Sequence, residues 1–77
     1  MKHKHDPTGK NGYYENLGAR YYKKDRRLHR IDGPAVIYQD GEEDYWLEDE
    51  SYTKEEWENH PLVLQYRREE LIYLWKK

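Results

Sequence analysis

A chain of 77 residues has room for one small domain, and the absence of cysteine excludes disulfides and thiolate metal sites. Phenylalanine is also absent, so nine Tyr and three Trp carry much of the apolar surface, an aromatic content that argues against disorder. The sequence has no cysteine, no apolar stretch of membrane-spanning length and no leader-like segment. We therefore expect a soluble cytoplasmic protein that does not bind membranes.

The charges are sorted along the chain, although they nearly cancel to a net charge of −2. Residues 1–30 hold nine Lys and Arg against three acids, and residues 31–60 hold eleven acids against Lys54 alone. Residues 61–77 hold four cations and two acids. A charge dipole of this kind steers partners and decides little about the fold, so it favours a binding module.

The first ten residues are polar throughout and predict a flexible tail. Within them, His3, His5 and Asp6 are side chains of metal-ligating type. Because ligands on an untethered tail rarely close a coordination shell, we expect no metal site there, and nothing else in the chain calls for a cofactor.

Short runs of strand composition follow, separated by turn signals such as Asp40-Gly41. The runs lie at 12–15, 19–23, 27–31, 35–39 and 43–47. They predict an antiparallel meander over 12–48, in which 19–23 pairs with 27–31 and 35–39 pairs with 43–47. Tyr45-Trp46-Leu47 places apolar groups on both faces, so we expect part of the sheet to be covered on both sides.

The pattern changes after Tyr52. Thr53 followed by Glu56 predicts a capping box at the start of a helix, with Trp57 as the ring that this helix buries. Pro61 interrupts that helix and fits the first position of a second one that runs to about Trp75. Apolar residues occur all around the second segment, so residues 62–76 could form one helix, two helices, or a helix followed by a strand.

These elements together predict an α+β fold. We expect one domain over 1–77, built from an antiparallel β-meander of four to five short strands and capped by one or two C-terminal helices over 53–76.

One segment resembles a known repeat. Arg27-Leu28-His29-Arg30-Ile31-Asp32-Gly33-Pro34-Ala35-Val36, followed by Tyr38, Asp40-Gly41 and Tyr45-Trp46, is similar to the HRxDGPAV…DG…W pattern of MORN-like β-hairpin repeats in small phage and bacterial proteins. The resemblance covers about residues 19–58, where one full copy follows a degenerate half copy, and Glu48-Asp49-Glu50 replaces the usual Asn-Gly. It implies stacked hairpins and a short, phage-encoded interaction protein.

Catalysis is not expected. The single serine, Ser51, lies among acids without a nucleophile signature, and no glycine-rich phosphate loop occurs. The carboxylates stand in runs typical of solvated turns, so the sequence offers no convergent set of catalytic groups. We also expect His29, near Asp32, and His60, before Pro61, to be hydrogen-bonded structural histidines.

Our first functional hypothesis rests on the acidic half of the chain. It is a non-enzymatic module that docks an acidic face, anchored by aromatic rings, on a basic site of a host protein. The host protein would be one that handles nucleic acid, and docking would inhibit it. The candidate residues are Glu42, Glu43, Asp44, Trp46, Glu48, Asp49, Glu50, Tyr52, Glu55, Glu56 and Trp57.

The second hypothesis is a small nucleic-acid-binding domain, since cations and rings alternate in the basic half. Its candidate residues are Arg20, Tyr21, Tyr22, Lys23, Lys24, Arg26, Arg27 and Arg30. A third hypothesis is self-association of a repeat fragment, either head to tail through unlike charges or as a homodimer through the C-terminal helix.

Overall fold

The computed structural model describes residues 3–75, and the side chains of residues 3–72. It is an α+β fold, as predicted. The strands are β1 (Gly12–Asn16), β2 (Ala19–Lys24), β3 (Arg27–Leu28), β4 (Val36–Ile37), β5 (Glu43–Leu47) and β6 (Glu50–Tyr52), and the helices are α1 (Lys54–Glu58) and α2 (Pro61–Trp75).

The strands form one sheet in the order β1-β2-β4-β5-β6, and β3 pairs with the second half of β2. All pairings are antiparallel. The two predicted pairings are present but short, because the chain leaves the sheet after Leu28 and turns a corner at Asp32-Gly33-Pro34 before β4. This corner brings β4 beside β2, where Tyr21 lies opposite Val36, a pairing that the meander did not predict.

The β5–β6 hairpin also differs from the prediction, which ended the sheet at residue 48. Its turn places Glu48 at φ 49° and Asp49 at φ 67°. Two successive positive φ values are the hallmark of a type I′ turn, which usually carries Asn-Gly or Asp-Gly. A residue with a side chain in this region costs roughly 1–2 kcal/mol, so composition alone argues against the hairpin that the chain forms.

The structure contains a tandem repeat. The unit β1–β2–β3 is followed by the unit β4–β5–β6, with the same order of strands and turns. Corresponding residues of the two units lie 23 positions apart in the sequence: Gly18 and Gly41, Tyr22 and Tyr45, Asp25 and Glu48.

The second turn of each unit is bound in the same way. In the first unit, the Asp25 amide donates to Asn11 Oδ1 over 3.0 Å, and the Arg26 amide donates to a backbone carbonyl over 2.9 Å. In the second unit, the Glu48 amide donates to His29 Nδ1 over 3.1 Å, and the Asp49 amide donates to a carbonyl over 2.9 Å. Each turn therefore docks on the segment that precedes its own unit, and this contact stacks the two units.

The helices close the second unit. The predicted capping box is present, since Thr53 Oγ1 accepts from the Glu56 amide over 3.1 Å and Glu56 Oε1 accepts from the Thr53 amide over 2.9 Å. As predicted, α1 buries Trp57, which packs with Tyr45, Leu47 and Val63. The second helix begins at Pro61 and is one continuous helix to Trp75, which decides between the alternatives for this segment. Residue 76 lies outside the described chain.

The N-terminal segment differs from a flexible tail within residues 3–11. The Tyr13 amide donates to the Lys4 carbonyl over 2.9 Å, and the Asp6 amide donates to the Tyr13 carbonyl over 2.7 Å. The Asp6 carboxylate accepts from the Thr8 hydroxyl and from the Thr8, Lys10 and Asn11 amides, so it organises the loop. These bonds, the Thr8 hydroxyl first, lower the pKa of Asp6 to about 2.

Candidate functional site

The acidic half of the chain presents an exposed anionic surface. We define the acidic surface by its seven exposed carboxylates: Glu42, Glu43, Glu48, Asp49, Glu50, Glu55 and Glu56. None of these seven lies within 4.0 Å of a Lys or Arg nitrogen in the described part of the chain. Arginine ion pairs are found elsewhere, between Arg20 and Glu15 at 3.3 Å and between Arg30 and Asp32 at 2.9 Å.

Some members of the acidic surface also hold the fold. Asp49 Oδ1 accepts from the Leu28 amide over 2.7 Å, and Glu50 accepts from the Tyr52 hydroxyl over 3.1 Å. Glu56 belongs to the capping box. By contrast, the carboxylates of Glu42, Glu43, Glu48 and Glu55 make no hydrogen bond or ion pair with the side chains described for residues 3–72. These four carboxylates can therefore contact a partner without breaking a hydrogen bond or ion pair of the described residues.

The three rings proposed as anchors have different environments. Trp57 is 4% exposed, and its indole Nε1 donates to the Arg30 carbonyl over 2.9 Å, so this ring belongs to the core and is not a surface anchor. Trp46 is half-buried, and its indole N–H has no acceptor within the described residues. Tyr52 is half-buried beside His60. Of the eleven predicted residues, Asp44 is also half-buried and accepts from the Tyr38 hydroxyl over 2.6 Å.

The eight predicted nucleic-acid-binding residues do not form one surface. Tyr22 is 6% exposed beneath Arg30, whose guanidinium carbon lies 3.9 Å from the ring centroid. Successive side chains of a strand point to opposite faces of the sheet, so Tyr22 and Arg20 lie on one face of β2 and Tyr21 lies on the other. Tyr22 is a structural residue, because it is buried, and Arg30 covers its ring and cannot join Arg26 and Arg27 in one basic surface.

A smaller aromatic pair remains on the other face. Tyr21 stacks on Tyr14 with ring centroids 5.2 Å apart and an angle of 19° between the ring planes. Lys23 Nζ lies 5.3 Å from the Tyr14 ring. The remaining candidates, Lys24, Arg26 and Arg27, are exposed around the turn between β2 and β3.

His29 and Asp32 are both hydrogen-bonded, but not to each other as their spacing suggested. His29 Nδ1 accepts from the Glu48 amide, whereas Asp32 accepts from His3 and Arg30, each over 2.9 Å. Partial burial raises the pKa of Asp32, but the bonds from His3 and Arg30 outweigh it, so the pKa lies below its ordinary value. Partial burial, followed by the charge of Lys24, lowers the pKa of His29. As predicted, His60 is a structural histidine, because its Nδ1 accepts from the Leu62 amide.

A cleft that the sequence did not predict lies where the N-terminal segment meets the seam between the two units. It has a volume of about 460 Å³. Its charged and titratable lining is made of Lys4, Lys23, Lys24, Arg30, His3 and His29, and no carboxylate is among the described residues that line it. The cleft was missed because it depends on residues 3–12 folding back on the sheet.

The polar side chains of the N-terminal segment do not gather at one point. His3 bonds to Asp32 and Asp6 caps its own loop, while the His5 ring contacts Tyr13. Across residues 3–75, no three side chains of His, Asp or Glu are placed to hold a metal ion.

No protein-family model, curated protein or solved structure matches the chain. Neither helix within the described range combines the length and apolar character needed to cross a membrane. What the protein does must therefore be argued from the geometry of its surfaces.

Proposed function

We propose that the protein is a non-enzymatic interaction module that docks its acidic surface on a basic site of a protein partner. The observation that carries this proposal is the absence of internal neutralisation: seven exposed carboxylates lie between residues 42 and 56, none within 4.0 Å of a described Lys or Arg. A fold that used these charges only for its own stability would pair them with the basic half of the same chain.

The chemistry of this surface indicates the class of partner that it would bind. Exposed carboxylates present an anionic field like that of a phosphate backbone, and fields of this kind accelerate association with a cationic groove. Partly exposed rings next to the charges, Trp46 and Tyr52, can supply the apolar contact area that charge alone does not. Together with the repeat resemblance, this supports a phage or mobile-element inhibitor that occupies the nucleic-acid site of a host protein.

Capture from a bacterial lysate tests the proposal. The perturbed bait carries Glu42→Gln, Glu43→Gln and Glu55→Gln, three changes that remove no internal bond. The control bait carries Glu15→Gln, Asp25→Asn and Glu69→Gln, which removes the same amount of charge outside the acidic surface. We expect the control to retain the proteins captured by the wild type and the perturbed bait to lose them. Equal recovery by both baits would refute the acidic surface as the docking site.

One observation favours nucleic-acid binding as a second function. The stacked pair Tyr14 and Tyr21, with Lys23 beside it, combines ring faces with a cation as single-strand-binding surfaces do. A gel shift with single-stranded and double-stranded oligonucleotides at low salt separates the two functions. A shift that weakens in the Arg26→Gln, Arg27→Gln double variant would support nucleic-acid binding, and no shift for the wild type would exclude it.

Self-association through α2 is a third proposal. Leu62, Leu64, Leu71 and Ile72 are exposed large apolar residues on this helix. Val63 holds α2 on the core, but the four apolar side chains are exposed, so a second copy packed along the helix would bury them. Sedimentation analysis should show a dimer for the wild type and a monomer after Leu64→Glu and Leu71→Glu. A wild type that stays monomeric at high concentration would rule this out.

A further inference from the structure

We propose that the cleft between the N-terminal segment and the seam of the two units binds an organic phosphate of about mononucleotide size. This inference is independent of the acidic surface, since no member of that surface lines the cleft.

The first argument is the charge of the lining. Lys4, Lys24 and Arg30 contribute three cations, and the described lining contains no carboxylate. Lys23 also lines the cleft, but its Nζ lies beside the Tyr14 ring on the other face of the sheet. Asp32, which pairs with Arg30, is not part of the lining. Because Arg30 is already paired with Asp32, the unbalanced positive charge of the cleft comes from Lys4 and Lys24, and a phosphate dianion neutralises it better than a carboxylate does.

The second argument is that hydrogen-bond donors in the cleft are unused. Because His29 Nδ1 accepts from the Glu48 amide, the ring proton of neutral His29 must sit on Nε2, which has no partner among the side chains described for residues 3–72. Arg30 uses Nε toward Asp32 and Nη1 toward the Pro34 carbonyl, which leaves Nη2 unused. The ammonium groups of Lys4 and Lys24 form no hydrogen bond or ion pair with the side chains described for residues 3–72.

The third argument is that part of this lining is held in place before any ligand arrives. Arg30 is fixed by the bonds to Asp32 and Pro34 and by its stacking on Tyr22. His29 is fixed by the turn contact that joins the two units. Donors that are already positioned lose less conformational entropy when a ligand binds, which favours affinity.

The size of the cleft specifies the ligand further. A volume of about 460 Å³ lies within the range of about 300–1,000 Å³ of sites for small organic molecules and exceeds what a single phosphate needs. Ile31, Asn11 and Gly12 complete the lining and offer an uncharged wall for the organic part. The ligand is therefore a phosphate with an attached organic group rather than inorganic phosphate alone.

Calorimetric titration of the full chain at low salt tests the proposal, with adenosine 5′-monophosphate, inorganic phosphate and adenosine as probes. We expect saturable one-to-one binding of the nucleotide, weaker binding of inorganic phosphate and none of adenosine. The double variant Lys4→Gln, Lys24→Gln should weaken nucleotide binding by about tenfold or more, because two charged donors are lost. The control Lys10→Gln, Arg68→Gln removes the same charge outside the lining and should stay within about twofold of the wild type.

Three results would overturn the inference. They are the absence of saturable nucleotide binding to the wild type, an equal loss of affinity in both double variants, and tight binding of a long oligonucleotide that the mononucleotide does not displace. An NMR titration of the wild type with the nucleotide keeps the test independent of variant folding. Changes in the amide chemical shifts of Gly12, His29 and Ile31 would support binding in the cleft. Shifts confined to other residues contradict it.

Discussion

The contact between the Glu48 turn and His29 makes the stacking of the two units testable by a single substitution. The first unit uses Asn11 Oδ1 where the second uses His29 Nδ1, and both accept from the first amide of the docked turn. His29→Asn therefore places in the second unit the side chain that already performs this task in the first. His29→Ala removes the acceptor altogether.

The expected effect follows from the bond that is lost. A neutral hydrogen bond contributes about 0.5–1.5 kcal/mol, so His29→Ala should lower the free energy of unfolding by about 1 kcal/mol. For a domain of this size, that corresponds to a decrease in the melting temperature of about 4–8 °C. His29→Asn should lie close to the wild type, since the amide oxygen restores the acceptor.

The same contact predicts a pH dependence. The pKa of His29 lies below its ordinary value of 6.5, so the unfolded chain takes up the proton before the folded chain does. The stability of the wild type should therefore be highest above pH 6.5 and fall as the pH decreases below that value. His29→Asn cannot take up this proton, so it should lack this component of the decrease.

Thermal unfolding followed by circular dichroism between pH 5 and pH 8 measures both effects. The difference between the wild-type and His29→Asn curves isolates His29 from the other titrating groups. If His29→Asn destabilises the protein as much as His29→Ala at pH 8, the two acceptors are not equivalent and the repeat contact is wrong. If the two pH profiles are parallel, protonation of His29 does not oppose folding.

Three further perturbations address the core, the N-terminal segment and its loop. Trp57→Ala removes the main buried ring and leaves the Arg30 carbonyl without its indole donor, so the free energy of unfolding should fall by about 3–5 kcal/mol. Urea denaturation measures this change, and a decrease below about 1 kcal/mol would contradict the assignment of Trp57 to the core. Gly12→Ala would place a Cβ 2.1 Å from the Lys4 carbonyl oxygen, so amide exchange at Asp6 should become fast, whereas Gly41→Ala, at a similar φ but in open space, should leave it slow. Because the pKa of Asp6 is lowered to about 2, the stability that its carboxylate supplies should be present above pH 3.8 and disappear toward pH 2. If the melting temperature of Asp6→Asn depends on pH in the same way as that of the wild type, this prediction is refuted.

Local signals in the sequence predicted much of the fold. Alternation and turn residues located the strands, and the Thr53–Glu56 pair located the start of α1 because a capping box depends only on residues three positions apart. The β5–β6 hairpin was missed because Glu48 and Asp49 lack the glycine that its turn favours. Its backbone is held instead by bonds to Leu28 and His29, which are distant in sequence.

The parts of the candidate site that depend on local sequence features were predictable, and the parts that depend on tertiary packing were not. Exposure of the acidic turns followed from composition, but the burial of Trp57 and Tyr22 depends on what packs over them. The cationic cleft forms only when the Lys4 carbonyl accepts from the Tyr13 amide across the loop that Asp6 organises, a contact that no periodicity reveals. The equivalence of the two docked turns could not be predicted, because their acceptors are different residue types, Asn11 and His29.

Zero-length carbodiimide cross-linking of the captured complex tests the central claim most directly, since this reagent joins carboxylates to lysines in contact. The account predicts bonds from Glu42, Glu43 or Glu55 to lysines of the partner protein. Cross-links that start only from Glu15, Asp25 or Glu69 would contradict it, because the partner would then occupy a different surface of the molecule.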